Sequence, residues 1–141
     1  MSLRPFHLAI PVKDLAAARD FYGGVMGCDE GRSDRHWVDF NFFGHQLVCH
    51  LDTRAPAQEE RLCSPVDEHE IPVPHFGLVL DIDTWRKTRD RLVRKGMDFV
   101  IEPTVRFKGE AGEQATMFFR DPSGNHLEIK AFKDLESLFA R

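Results

Sequence analysis

The chain has 141 residues, 42% of them hydrophobic and 12 of them phenylalanine, enough for one substantial core and hence one globular domain. A formal net charge of −4 and a pI near 6.0 exclude the strongly basic surface that nucleic acid or an anionic membrane would require of a partner. No apolar run approaches the ~18 residues of a membrane span, Met1 to Pro5 lacks a signal peptide's apolar stretch, and the odd set Cys28, Cys49 and Cys63 fits reduced thiols, so a cytoplasmic location is expected.

In chain order, Phe6 to Val12 is predicted as a strand opening on His7. A helix follows, with Asp14 as N-cap, Leu15, Ala18, Tyr22 and Val25 on its apolar face and Gly27 closing it. Three strands come next, Cys28 to Ser33, His36 to Phe43 and His45 to Leu51, the last two joined at Gly44. Asp52 to Pro74 reads as one long irregular connector with four prolines and the acidic residues Glu59, Glu60, Asp67, Glu68 and Glu70, either a plain linker or a loop that covers a site. The plan then repeats: a strand His75 to Leu80, a helix capped by Asp83 with Trp85, Leu92 and Val93 inward and Gly96 closing, and strands Asp98 to Phe107, Ala115 to Arg120 and His126 to Phe132. Asp121-Pro-Ser-Gly124 is predicted as the turn of the last hairpin. The expected fold is α+β, two tandem β-α-β-β-β modules (about 5–52 and 75–132) with a linker 53–74 and a tail 133–141; the family resemblance that these modules carry implies that they form a cupped mixed sheet around a metal site.

Alternation singles out three residues in these strands, because i and i+2 share a strand face and i+1 points the other way. His7 lies opposite Phe6, Leu8 and Ile10; His75 lies opposite Phe76, Leu78 and Leu80; Glu128 lies opposite Leu127, Ile129 and Ala131. Two imidazoles and a carboxylate on the non-greasy faces form a facial ligand set for a divalent ion, with adjacent coordination positions left for substrate, water or oxygen. Ala9 and Gly77, two residues beyond the histidines, are small enough to leave room for a guest.

The paired β-α-β-β-β plan, the histidines opening each half and the phrase Phe119-Arg-Asp-Pro-Ser-Gly-Asn-His-Leu-Glu128 resemble the vicinal oxygen chelate superfamily of glyoxalases, bleomycin-resistance proteins and extradiol dioxygenases, over Phe6 to about Phe132. The resemblance implies His7, His75 and Glu128 as metal ligands, a small-molecule substrate that chelates through neighbouring oxygens, and a homodimer in which sheets of two chains complete the sites. For the metal it implies iron(II) first, with Mn²⁺, Ni²⁺ or Zn²⁺ as alternatives.

The superfamily's reactions differ in the residues beside the metal. Glyoxalases add a carboxylate from the last strand of the first half, where this chain offers Cys49 or His50. The transferases that confer fosfomycin resistance share the triad and place a lysine where Lys108 falls, but their threonine and tyrosine are Ala9 and Phe118 here. Three protein ligands suit a ring-cleaving dioxygenase, whose usual helper histidine and tyrosine have no match between Asp98 and Arg120; His50 and Lys108 are then the expected proton-transfer residues. A thiol transferase or lyase is the alternative reaction, and a metal-free binding protein of the bleomycin-resistance kind is the alternative class, kept open by Phe40-Asn-Phe-Phe43. His126 reads as a solvent-facing strand-entry residue or a fourth ligand, and Cys49 as core filler or a cavity thiolate.

Overall fold

A computed structural model describes residues 3–54, 62–66 and 69–140. The chain divides into two compact units, Met1–Glu60 with Asp121–Asn125, and Arg61–Arg120 with His126–Arg141. The acidic residues Glu59, Glu60, Asp67 and Glu68 lie outside the described residues. Among the described residues no helix is long and apolar enough to cross a membrane.

The first unit holds β1 (His7–Val12), α1 (Leu15–Ala18), a π-helical run Arg19–Val25, β2 (Asp29–Ser33), β3 (Trp37–Phe42) and β4 (His45–Leu51). Its sheet runs β1-β4-β3-β2, with β1 parallel to β4 and the other pairs antiparallel. Alternation puts Ile10, Val12, Val38, Phe40, Phe42, Leu47 and Cys49 on one buried face. Tyr22 seals that face, its ring 5.6 Å from Phe40 and 6.4 Å from Phe42.

Asp14 caps α1 as expected, its carboxylate accepting the Ala17 N–H. The α-helix ends after one turn, however. The Met26 N–H reaches back five residues to the Phe21 carbonyl at 2.8 Å, the wide π spacing. That spacing rotates the inward stripe, so Phe21 and Met26 are buried with Ala18 and Tyr22, while Leu15 and Val25 are only half-buried. Gly23-Gly24, poor α-helix formers, sit in the widened turn.

The β3–β4 hairpin turns on Phe43 and Gly44, both with positive φ (52° and 91°), the pattern of a type I′ turn. Asn41 Oδ1 accepts the Gly44 N–H at 2.7 Å and holds Phe43 in this uncommon conformation.

The second unit contains β5 (Leu62–Val66), β6 (His69–Val73), β7 (Phe76–Asp81), α2 (Ile82–Arg94), β8 (Phe99–Arg106), β9 (Gln114–Arg120), β10 (His126–Phe132) and a 3-10 helix Leu135–Phe139. Its main sheet, β7-β10-β9-β8, repeats the order of the first, with β7 parallel to β10. The expected irregular connector is corrected here: β5 and β6 pair antiparallel from Leu62↔Val73 to Val66↔His69. Pro65 and Pro72 argued against strands, but each strand of a two-stranded ribbon is an edge, where a missing N–H is tolerated.

Helix α2 is capped by Asp81 rather than Asp83; the Asp81 carboxylate accepts both the Thr84 N–H (3.0 Å) and its hydroxyl (2.6 Å), and these bonds hold the carboxyl below its ordinary pKa. This earlier start turns Trp85, Thr88 and Leu92 inward and leaves Val93 exposed. The Trp85 indole N–H donates to the Ile129 carbonyl at 2.8 Å, fixing the helix over the buried face Leu127, Ile129, Ala131, Met117 and Phe119.

Candidate functional site

In the second unit His75 precedes β7 by one residue, and Glu128 is the third residue of β10. A Cβ at Gly77, paired with Glu128 across the two strands, would collide with the Glu128 carbonyl, so glycine is what lets the strands close here. His75 Nδ1 lies 2.7 Å from the Pro72 carbonyl oxygen, a bond only an N–H can make. A proton therefore belongs on Nδ1, and in the neutral ring Nε2 carries the lone pair.

Nε2 faces Glu128 Oε2 at 3.4 Å, and the ring stands edge-on to Phe118 with centroids 5.1 Å apart. Two acceptors turned toward each other in a partly enclosed place (side chains 28% and 18% exposed) suit a shared cation, and imidazole with carboxylate is a donor set for a divalent metal. The Pro72 carbonyl holds the imidazole in the manner usual for metal-bound histidine. Glu128 Oε1 is supported from its other side, by the Thr116 hydroxyl donating at 3.2 Å and by Lys130 Nζ at 3.5 Å.

These residues open onto a cavity of about 580 Å³ walled by β8, β9 and β10, with Ile71 and His75 on its border. Lys130, Thr116 and Arg106 belong to that wall, and Lys130 and Thr116 were not singled out in the sequence. The signal for Lys130 was present, because it stands two residues beyond Glu128 on the same strand face.

His7 stands in the first unit, where β1 pairs it with Gln46 of β4. Its Nδ1 lies 2.8 Å from Gln46 Oε1, and the Gln46 amide nitrogen donates to Asp39 Oδ2 at 3.2 Å. The orientation follows from the far end of this chain of bonds. A carboxylate only accepts, so Gln46 must turn its NH₂ to Asp39 and its oxygen to His7, and His7 must carry its proton on Nδ1. Both sequence-predicted histidines thus have Nδ1 engaged by a hydrogen bond. Asp39 is buried beside Gly31, where a Cβ would collide with Asp39 Oδ1, and that oxygen has no hydrogen-bond partner among the described residues. Asp39→Asn should free Gln46 to flip, and long-range ¹H–¹⁵N spectra should then show His7 passing from the single Nδ1–H tautomer to a mixture; an unchanged single tautomer would show that Asp39 does not set it.

His50 shares the His7 face of β4 and borders a second cavity of about 550 Å³ with Ala9, Pro11 and Asp52. The register places it four residues beyond Gln46, about 13 Å along the strand and out of direct reach of a group at His7. Lys108 is exposed on the tight turn after β8, between Phe107 (φ 55°) and Gly109 (φ 86°), a turn fastened by Glu113 accepting the Gly109 N–H at 2.7 Å. It is not among the residues of the 580 Å³ cavity. Cys49 is fully buried on the core face, and burial with the nearby Asp121 charge pushes its thiol up to about 12, so it is a neutral core residue. His126 is buried rather than solvent-facing, its ring 5.8 Å from Phe118. Among the described residues no group of three or more His, Cys, Asp or Glu is gathered to hold an ion; the close pair is His75 with Glu128.

Residues 4–129 match the model of the Glyoxalase/Bleomycin resistance protein/Dioxygenase superfamily. The chain is similar to the crystal structure of a glyoxalase/bleomycin resistance protein/dioxygenase from Alicyclobacillus acidocaldarius, at 33% identity over 96% of each chain with a TM-score of 0.77. Its fold is also that of a genomically encoded fosfomycin resistance protein, FosX, from Listeria monocytogenes (17% identity, 96% of this chain and 98% of that one, TM-score 0.67). A lactoylglutathione lyase from Agrobacterium tumefaciens shares it too (16% identity, 98% and 97%, TM-score 0.59). Comparison with curated proteins finds no match.

Proposed function

Since the chain belongs to the glyoxalase/bleomycin resistance protein/dioxygenase superfamily, whose members are vicinal oxygen chelate proteins, we propose that it is a divalent-metal-dependent enzyme acting on a small substrate that chelates through two neighbouring oxygens. The observation that carries this reading is the approach of His75 Nε2 to Glu128 Oε2 with Nδ1 tied to the Pro72 carbonyl. His75 and Glu128 supply two ligands and His7 the third. A divalent ion held there would polarise the substrate's oxygens and stabilise negative charge developing on them. The chain's own residues do the rest: Pro72 and Gln46 aim the imidazoles, Thr116 and Lys130 hold the carboxylate, and Phe118 walls one side of His75.

Among reactions, ring-cleaving dioxygenation with iron(II) is favoured by what β4 lacks. Strand His45–Leu51 contains no Asp or Glu, so it offers no carboxylate as fourth ligand or isomerising base. Three protein ligands leave positions for a bidentate dihydroxy-aromatic and O₂. His50 and Lys108 stay the residues proposed to move protons. Iron-reconstituted protein under nitrogen should change its visible spectrum on adding a catechol and then consume one O₂ per ring opened. Turnover of a thiol adduct under nitrogen with manganese or nickel, with no catechol response, would replace this reading with a transferase or lyase. Metal-free protein that binds an aromatic drug and takes up no metal would replace it with a binder.

The site is proposed to be completed in a homodimer, as superfamily members often dimerise. Mixing His7→Ala with Glu128→Gln protein tests this: a shared site regains metal binding in the mixed dimer, whereas sites confined to single chains stay empty.

A further inference from the structure

We propose that Ile71 is a specificity-determining residue, the side chain that bears on the hydrocarbon body of the substrate while the metal holds its two oxygens. The inference rests on the metal-chelation reading and deepens it by naming what fits behind the chelating end: a flat apolar body whose size Ile71 limits.

The 580 Å³ cavity has two kinds of wall. Strands β8, β9 and β10 line it from a four-stranded sheet, where the ladder of backbone hydrogen bonds fixes the root of each side chain. Ile71 comes from elsewhere. It stands on β6, whose ladder, among the described residues, is with β5 alone. A two-stranded ribbon cannot cover its own faces, so a side chain buried on it is covered from outside the ribbon. Ile71 is 8% exposed, whereas Val73, the next residue on the same face, is 39% exposed. The cover is therefore local to Ile71, and Ile71 lines the cavity while Val73 does not. Ile101 and Phe132 line the same cavity and are half-buried, so the sheet also turns apolar surface to a guest.

Ile71 is tied to the chelating end as well. The next residue, Pro72, accepts the His75 Nδ1–H at 2.7 Å, so the strand that carries the apolar contact also holds the imidazole. The chelating end and the apolar contact keep one spacing, and a ring attached to the chelating oxygens meets Ile71 according to its size.

The test measures binding of catechol and of 2,3-dihydroxynaphthalene by calorimetry, on metal-free and metal-loaded protein, with the ratio of the two affinities as the readout. Ile71→Ala removes about three methylene equivalents of wall, and one methylene in an apolar pocket discriminates by ~10-fold or more. The ratio should therefore shift by at least ~10-fold toward the larger ring in Ile71→Ala and toward the smaller ring in Ile71→Phe. Val73→Ala, on the same strand but outside the cavity, should leave the ratio as in the wild type, which separates contact with the guest from loosening of the ribbon. Metal affinity by chelator titration should keep its wild-type value in Ile71→Ala, because the group that holds His75 is the Pro72 main chain. A ratio unchanged in both Ile71→Ala and Ile71→Phe overturns the proposal, as does an equal shift in Val73→Ala. A ratio that shifts as expected while neither affinity responds to metal keeps Ile71 in the site and overturns the chelation reading; binding of neither diol to any form overturns both.

Discussion

Replacing Glu128 with Gln should abolish tight binding of a divalent ion while the fold persists. The amide keeps the shape of the side chain and can still take the Thr116 hydroxyl, but it loses the charge that faces His75 Nε2 and leaves Lys130 without its anion. Changing groups that merely orient metal ligands lowers affinity by ~10–100-fold, so loss of a charged ligand should reach ~100-fold or more. His75→Ala should have the same effect. The neighbours of Glu128 on the opposite face, Leu127 and Ile129, are fully buried and untouched by either change, so unfolding midpoints measured without metal should move little. Competitive chelator titration gives the affinity directly, and wild-type affinity in Glu128→Gln would remove this residue from the site.

The largest expected loss of stability is at Asp121. One buried carboxylate accepts the Ser123 N–H (2.9 Å), the Asn125 N–H (2.8 Å), the Asn125 side-chain amide (2.9 Å) and the Tyr22 hydroxyl (2.7 Å). Asp121→Ala leaves four donors unanswered in the interior, and denaturant unfolding should show a loss of about 3–5 kcal/mol, the range for breaking a buried charged network. A loss below ~1 kcal/mol, the worth of one ordinary hydrogen bond, would mean that water replaces the carboxylate. Tyr22 adds a pH dependence. Burial, and then the Asp121 charge, raise its phenol well above the ordinary value of 10.0. The folded chain thus keeps a proton that the unfolded chain releases, so this contribution is intact below pH ~10 and is lost as pH rises above it.

Period and strand face were legible in the sequence because a strand's alternation is local. Strand β4 and strand β10 run from His45 to Leu51 and from His126 to Phe132 as expected, and Glu128 sits among the buried Leu127 and Ile129 as alternation requires. What depended on register between strands was not legible. Gln46 meets His7 only because β1 and β4 pair in parallel at that residue, and Asp39 reaches Gln46 only through the β3–β4 pairing. The choice between Asp81 and Asp83 as helix cap is equally hidden, since either carboxylate satisfies the pattern and only the backbone's turn into the helix decides. The π-helical run was missed because an α-helical wheel assumes the spacing that Met26 and Phe21 abandon.

The turn Asp121–Asn125 has a consequence for the order in which the chain becomes a folded object. It answers three groups near the other end of the sequence: the Tyr22 hydroxyl, the Lys13 N–H through Ser123 Oγ (2.8 Å) and the Pro11 carbonyl through the Asn125 amide (2.8 Å). A ribosome making the chain from its N-terminus releases β1 to β4 long before those partners exist. Until Asn125 has been added the first sheet therefore lacks these three contacts. A gene cut between the two sequence repeats would encode a first half that lacks its own final piece, Asp121–Asn125.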